Sequence, residues 1–149
     1  MKQQHLIYLI AGIVITVLFY VFRVMAYESI YAVAGYSDQL YNLGLYDMIP
    51  LITIAVAWAV AGIYYYGINS VRFDRWYHWL VMLALAMLLA PIVGYMVNSH
   101  IFDENGLSYV AESLTFELVN MMWTALLFIV ASFSMRWWST NCRHTPIPQ

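Results

Sequence analysis

Residues 76–97 read WYHWLVMLALAMLLAPIVGYMV, a run without a single Asp, Glu, Lys or Arg. A helix needs about 20 apolar residues to cross the roughly 30 Å hydrocarbon layer of a bilayer, and this run supplies them. Three further stretches have the same character, Leu6–Ala26, Met48–Ile68 and Leu118–Met135, and only the first carries a charged residue, Arg23. A surface helix of a soluble domain would need a polar face that these stretches lack. The composition agrees: 64% of the residues are hydrophobic and 9% charged, with a mean hydropathy of +0.71. The sequence therefore predicts an all-α polytopic membrane protein, four transmembrane helices in a compact bundle. One domain spans residues 1–149, with no repeat, linker or sizeable soluble portion.

Charge sets the expected orientation. With four spans, Lys2, the 71–75 link and the 136–149 tail share one side, so five of the six basic residues (Lys2, Arg72, Arg75, Arg136, Arg143) fall there and Arg23 does not. Loop Lys/Arg excess marks the cytoplasm, so both termini are expected inside, in the inner (plasma) membrane of the cell. Glu28, Asp38, Asp47, Asp103, Glu104, Glu112 and Glu117 lie on the opposite side, with only Asp74 inside. Tyr64, Tyr65, Tyr66, Trp76, Tyr77, Trp79, Trp137 and Trp138 flank the basic residues, as an interfacial aromatic belt does. Lys2 before an apolar run, with Val24, Met25 and Ala26 at its end, faintly imitates a cleaved signal. The run is longer than a signal core and Arg23 interrupts its end, so it is read as a retained first span.

The connections carry turn chemistry. The first helix is expected to run on to about Ala34, and Ser37 or Asp38 to cap a short helix ending at Gly44. Asp47 then caps the second span, with Pro50 in its first turn. Asp103-Glu104-Asn105-Gly106 reads as a turn, followed by a short helix from Ser108 to Phe116. The tail from Thr140, with Pro146 and Pro148, is expected to be irregular. Tyr27, Tyr31, Tyr36, Tyr41, Tyr46 and Tyr109 enrich the outer loops, which suits anchoring at the lipid interface or, alternatively, contact with a partner subunit.

Small residues indicate how the helices meet. Ala86, Ala90, Gly94 and Asn98 recur every fourth residue, and Ala57 and Ala61 do so in the second span. Small side chains let backbones approach closely where lipid removes the hydrophobic drive for association. Ala86, Ala90 and Gly94 are thus expected to form a helix-packing face, beside a kink at Pro91.

Arg23 and Glu117 are the candidate intramembrane ion pair. Arg23 lies roughly 26 Å along its helix from Leu6 and Glu117 roughly 28 Å from Arg136, so the two reach similar depth. Pairing lowers the penalty of holding either charge in an apolar layer. The competing arrangement has Arg23 snorkelling to headgroups and Glu117 in water. Asn120 and Thr124 share a face with Glu117, and with Asp47 and Asn98 they would make a polar cluster at the outer mouth of the bundle, either an interhelical hydrogen-bond cluster or an ion vestibule.

Catalytic constellations do not emerge. His5, His78, His100 and His144 are scattered along the chain, so haem ligation is not expected, and His100 with Asp103 and Glu104 is a weak metal set. Cys142 is alone, which excludes an internal disulfide; it reads as an idle thiol more readily than as a lipidation site. No cofactor, metal or nucleic-acid partner is expected, and no enzymatic activity. The reading is a non-enzymatic integral membrane subunit that anchors or stabilises a larger inner-membrane assembly in secretion, transport or signalling. Its partners are the lipid bilayer and other membrane subunits. The alternative is a small homo-oligomeric channel or transporter with a polar outer mouth.

Overall fold

The four apolar stretches are helices, and each outruns its apolar core. The structure, a computed structural model, describes residues 2–142, in which every regular element is helical. The α-helices are α1 (Lys2–Val21), α2 (Arg23–Glu28), α3 (Tyr36–Asn42), α4 (Leu45–Gly62), α5 (Trp76–Glu104) and α6 (Val110–Met135), with a π-helical and two 3-10 segments beside them. Four helical stretches are long and apolar enough to cross a membrane: Gln3–Val21, Leu45–Ile68, Trp76–Glu104 and Val110–Trp138. The remainder of the expected irregular tail, with Arg143, His144, Pro146 and Pro148, lies outside the described residues.

Several boundaries differ from the sequence reading, each for a local reason. The first helix stops at Glu28, not near Ala34; a loosened turn at Phe22 divides it, although the ladder continues from Phe22 N–H to the Leu18 carbonyl and from Ala26 N–H to that of Phe22. Gly35, at φ +84°, starts α3, and Asp38, one of the two expected caps, accepts from the Gly35 N–H from within the first turn. Gly44, at φ +69°, starts α4 in place of Asp47, so Pro50 falls in the second turn of the helix. Left-handed backbone suits glycine, which has no Cβ to clash. The expected turn at Asp103 is instead the last turn of α5: Leu107 N–H reaches the Phe102 carbonyl at 2.9 Å and Gly106 N–H that of Asp103 at 3.1 Å, a Schellman closure around Gly106. The short helix expected over Ser108–Phe116 is the first part of α6 itself.

α6 is the hub. It packs on α1, α4 and α5, whereas α1 leans almost wholly on α6. Half of the apolar window of α6 is buried inside the molecule, against 11% of that of α1. Leu6, Ile10, Ile13, Val14 and Val17 of α1 are exposed, a hydrocarbon-like surface that suits lipid and not water.

The two ends of the bundle are built differently. The near end holds the start of α1, the 69–75 link and the segment after α6. There α4 widens into a π-helical stretch, Ile63–Ile68, which leaves carbonyls without their usual partners. Ser139 Oγ and Asn141 Nδ2 donate to the Tyr65 and Tyr64 carbonyls, both at 2.6 Å. Residues 139–142 therefore form a docked strap, with Asn141 and Cys142 buried. Part of the expected aromatic belt is core: Tyr64, Tyr65 and Trp79 are buried, while Trp76, Tyr77 and Trp138 are exposed.

The far end is closed by α2, α3 and an aromatic cluster. Tyr27, Tyr36, Tyr46, Phe102 and Phe116 are all buried there, with Tyr27 stacked on Phe116 at 4.9 Å between ring centroids. Interface anchoring is thus corrected for Tyr27, Tyr36 and Tyr46, which fill the core; Tyr41 alone of the six is fully outward, at 69% exposed.

Candidate functional site

Beneath the far-end aromatic cap, polar side chains from three helices converge on Asn120. The Tyr27 hydroxyl of α2 and the Thr53 hydroxyl of α4 both reach Asn120 Oδ1, at 2.7 and 2.6 Å. Two O–H donors on one oxygen fix the orientation of the amide, so Nδ2 faces the other way. There it donates to Glu117 Oε2 at 2.8 Å, one turn earlier on α6. The Thr124 hydroxyl bonds back to the Asn120 carbonyl at 2.7 Å and ties off the next turn. Asn120, Thr124, Thr53 and Tyr27 are completely buried, and Glu117 is 4% exposed.

α5 makes room for the carboxyl. A Cβ on Gly94 would stand 2.7 Å from Glu117 Oε2 and 2.8 Å from Oε1, so any other residue there would force the carboxyl to shift. Ala86, Ala90, Gly94 and Asn98 are all buried along this side of α5. Asn98 sits one turn beyond Gly94, where its Nδ2 donates to the Tyr36 hydroxyl at 3.0 Å. Two buried acceptors of this region have no hydrogen-bond partner, Asn98 Oδ1 and Glu117 Oε1.

The expected ion pair is corrected. Arg23 meets Asp47, not Glu117: its Nη2 donates to Asp47 Oδ1, its Nη1 donates to the Tyr20 carbonyl at 3.0 Å, and its guanidinium lies over the Tyr20 ring. The Asp47 side chain is 55% exposed and that of Arg23 24%, so the pair sits at the rim. Because Gly44 opens α4, Asp47 is free of the capping role and turns to α2. Among the described residues Glu117 makes no ion pair.

The open polar mouth is corrected too. Asp47 stands apart from Asn98, Asn120 and Thr124, and these three have no exposed surface. They are bonded into two small networks, one around Asn120 and one around Tyr36. Toward the near end the core turns apolar, with Ala57, Ala61, Trp79, Ala86, Leu127, Phe128 and Ala131 packed together. Trp79 Nε1 finds its acceptor in Ser132 Oγ at 2.8 Å.

Three participants were not singled out from sequence. Thr53 is the lone hydroxyl among aliphatic residues in the middle of its span, which is the signal that finds it. Tyr27 and Tyr36 carried no signal separating them from the other loop tyrosines. Gly12 was missed as well: it lets α1 lie against α6, with a Cβ there only 2.7 Å from Ser134 Cβ. Thr16, one turn on, donates to the Gly12 carbonyl and accepts from Trp58 Nε1 at 3.1 Å. Glycine and threonine four apart make a small-residue pair of the kind that packs membrane helices.

Of the histidines, His5 stacks on Trp137 at 5.1 Å and His100 lies 3.6 Å from Glu104 at the surface. No family model, curated protein or solved structure matches this chain.

Proposed function

We propose that this chain is a polytopic inner-membrane protein with both termini in the cytoplasm. It serves as a non-enzymatic subunit that anchors or stabilises a larger membrane assembly. The observation that carries the reading is the Asn120 network. Tyr27, Thr53 and Glu117 all hydrogen-bond to Asn120, which ties α2 and α4 to α6. A conducting path would need polar groups lining a continuous route, and the apolar near-end core around Ala57, Ala61 and Phe128 supports a packed scaffold instead. Orientation rests on Arg72, Arg75 and Arg136, which gather at the near end with the start of α1.

Purification in mild detergent followed by mass analysis of the intact particle tests this role. Different membrane chains recovered with it in fixed ratio are the expected result. A symmetric ring of this chain alone would overturn it in favour of a small homo-oligomeric channel or transporter.

A further inference from the structure

Where α1 gives way to α2, two hollows adjoin at Val24. One, of about 260 Å³, is lined by Arg23, Val24, Tyr41, Gly44, Tyr46 and Asp47. The other, of about 580 Å³, runs along Val21, Phe22, Val24 and Met25 toward Glu28. The first holds both charges of the rim ion pair, and nothing stands within 4 Å of where a Cβ on Gly44 would lie. The second is walled by Val21, Phe22 and Met25, each more than half exposed. Val21 ends the first apolar span, so on a chain that crosses a bilayer Arg23 lies at headgroup depth and the apolar hollow against the acyl chains.

The ion pair is reachable and keeps binding capacity. The side chain of Arg23 is 24% exposed and that of Asp47 55%. A guanidinium has five N–H donors, and here Nη1 donates to the Tyr20 carbonyl and Nη2 to Asp47 Oδ1. Asp47 takes the guanidinium on Oδ1, which leaves Oδ2 to accept from another donor. The polar hollow thus presents donors and an acceptor side by side, with one positive and one negative residue in its wall. A ligand of a single charge would answer one member of the pair and repel the other, whereas a zwitterion answers both.

We infer that the joined hollows bind a zwitterionic phospholipid of the ethanolamine type, its phosphate on the Arg23 guanidinium, its primary ammonium on Asp47 Oδ2 and an acyl chain along Phe22 and Met25. A charged hollow beside an apolar one has the shape of an amphiphile, and the paired charges select the headgroup. Arginine meets phosphate with parallel N–H donors. A primary ammonium donates hydrogen bonds to a carboxylate, whereas a trimethylammonium has no N–H to donate, which favours ethanolamine over choline. A headgroup with a phosphate and no cation would bring negative charge against Asp47 and against Glu28 of the adjoining hollow. The site stands apart from the anchoring role, since a subunit and a channel hold a lipid equally well.

The test places the full chain in nanodiscs holding equal amounts of phosphatidylethanolamine, phosphatidylcholine and phosphatidylglycerol with the same acyl chains. Native mass spectrometry then reads the lipid that the released protein retains. The expected result is phosphatidylethanolamine retained in about tenfold preference to the other two. Retention falls about tenfold in Arg23→Gln, the change that loss of a hydrogen bond to a charged group brings. Asp47→Asn should abolish the preference over phosphatidylcholine. Equal retention of the three lipids, a preference for phosphatidylglycerol, an ethanolamine preference that survives Asp47→Asn, or undiminished retention by folded Arg23→Gln would overturn the proposal. Should Arg23→Gln fail to fold, Met25→Trp obstructs the apolar hollow from its exposed side and leaves the ion pair in place. Retention must then fall, and its persistence would overturn the proposal equally.

Discussion

Glu117 occupies the space that any side chain on Gly94 would claim: both carboxyl oxygens lie within 2.8 Å of where a Cβ would stand. The glycine of the small-residue face and the buried acid of α6 are therefore one feature, a cut-out and what fills it. Gly94→Ala should destabilise the bundle by about 1–3 kcal/mol, the usual penalty of overpacking. Adding Glu117→Ala should recover part of the loss, because it removes the atoms in conflict. Thermal unfolding in a single detergent reads both. Full stability of Gly94→Ala alone would mean that the Glu117 carboxyl swings aside without loss.

Asn120 is the junction of the far-end network, so its removal should outweigh removal of any branch. Asn120→Ala leaves the Tyr27 hydroxyl and Glu117 Oε2 without Asn120 at once, while the Thr53 hydroxyl keeps the Ile49 carbonyl, and unsatisfied buried groups cost about 1–3 kcal/mol each. Tyr27→Phe and Thr53→Val each delete one contact between helices, worth about 0.6–2 kcal/mol. Chemical denaturation should rank Asn120→Ala clearly below both. A Thr53→Val protein as unstable as Asn120→Ala would displace the centre of the network from α6 to α4.

The attachment of α1 depends on Gly12. A Cβ at that position would overlap the Ser134 side chain, with Cβ to Cβ at 2.7 Å. Gly12→Leu should detach α1 from α6 and make the segment between α1 and α4 sensitive to protease, while α4, α5 and α6 stay together. Ser134→Gly should partly rescue the milder Gly12→Ala. If Gly12→Leu resists proteolysis as the parent does, α1 is held by other contacts.

How much of this was legible in the sequence depended on which physical signal each feature leaves. Length and hydropathy identified the four long helices, because an apolar run of bilayer length has few other uses. Ala86, Ala90 and Gly94 announced a face by their spacing. Matching Arg23 to Glu117 by distance along each helix failed because depth carries no information on rotation about the helix axis. It also assumed that Asp47 was occupied as a cap, a role that the left-handed Gly44 made unnecessary. The tyrosines misled for a different reason: an amphipathic ring suits an interface and a polar core equally. Only the folded far end shows that Tyr27 and Tyr36 supply donors and acceptors within the protein. The extra length of α5 was hidden because Ser99, His100, Asp103 and Glu104 interrupt the apolar run, and hydropathy alone cannot separate a mixed helical end from a loop.

Topology follows from charge and can be read directly. In a Cys142→Ala background, Gln149→Cys should react with a membrane-impermeant maleimide only after the cells are opened. Labelling in intact cells would invert the arrangement of the whole bundle.

Arg23 and Asp47 should be coupled, and Arg23 and Glu117 should not. The first pair is in direct contact at the rim, with the Asp47 side chain more than half exposed, so its coupling should be modest, about 0.2–1 kcal/mol. The cycle of Arg23→Gln, Asp47→Asn and the double variant measures it as stability in nanodiscs. In the parallel cycle with Glu117→Gln, the two substitutions should add within about 0.5 kcal/mol, as separated sites do. Arg23→Gln also removes the donor to the Tyr20 carbonyl and the contact over the Tyr20 ring. Its own effect should therefore exceed that of Asp47→Asn. A large Arg23–Glu117 coupling together with none to Asp47 would mean that the guanidinium turns inward in the bilayer. That would restore the intramembrane pair.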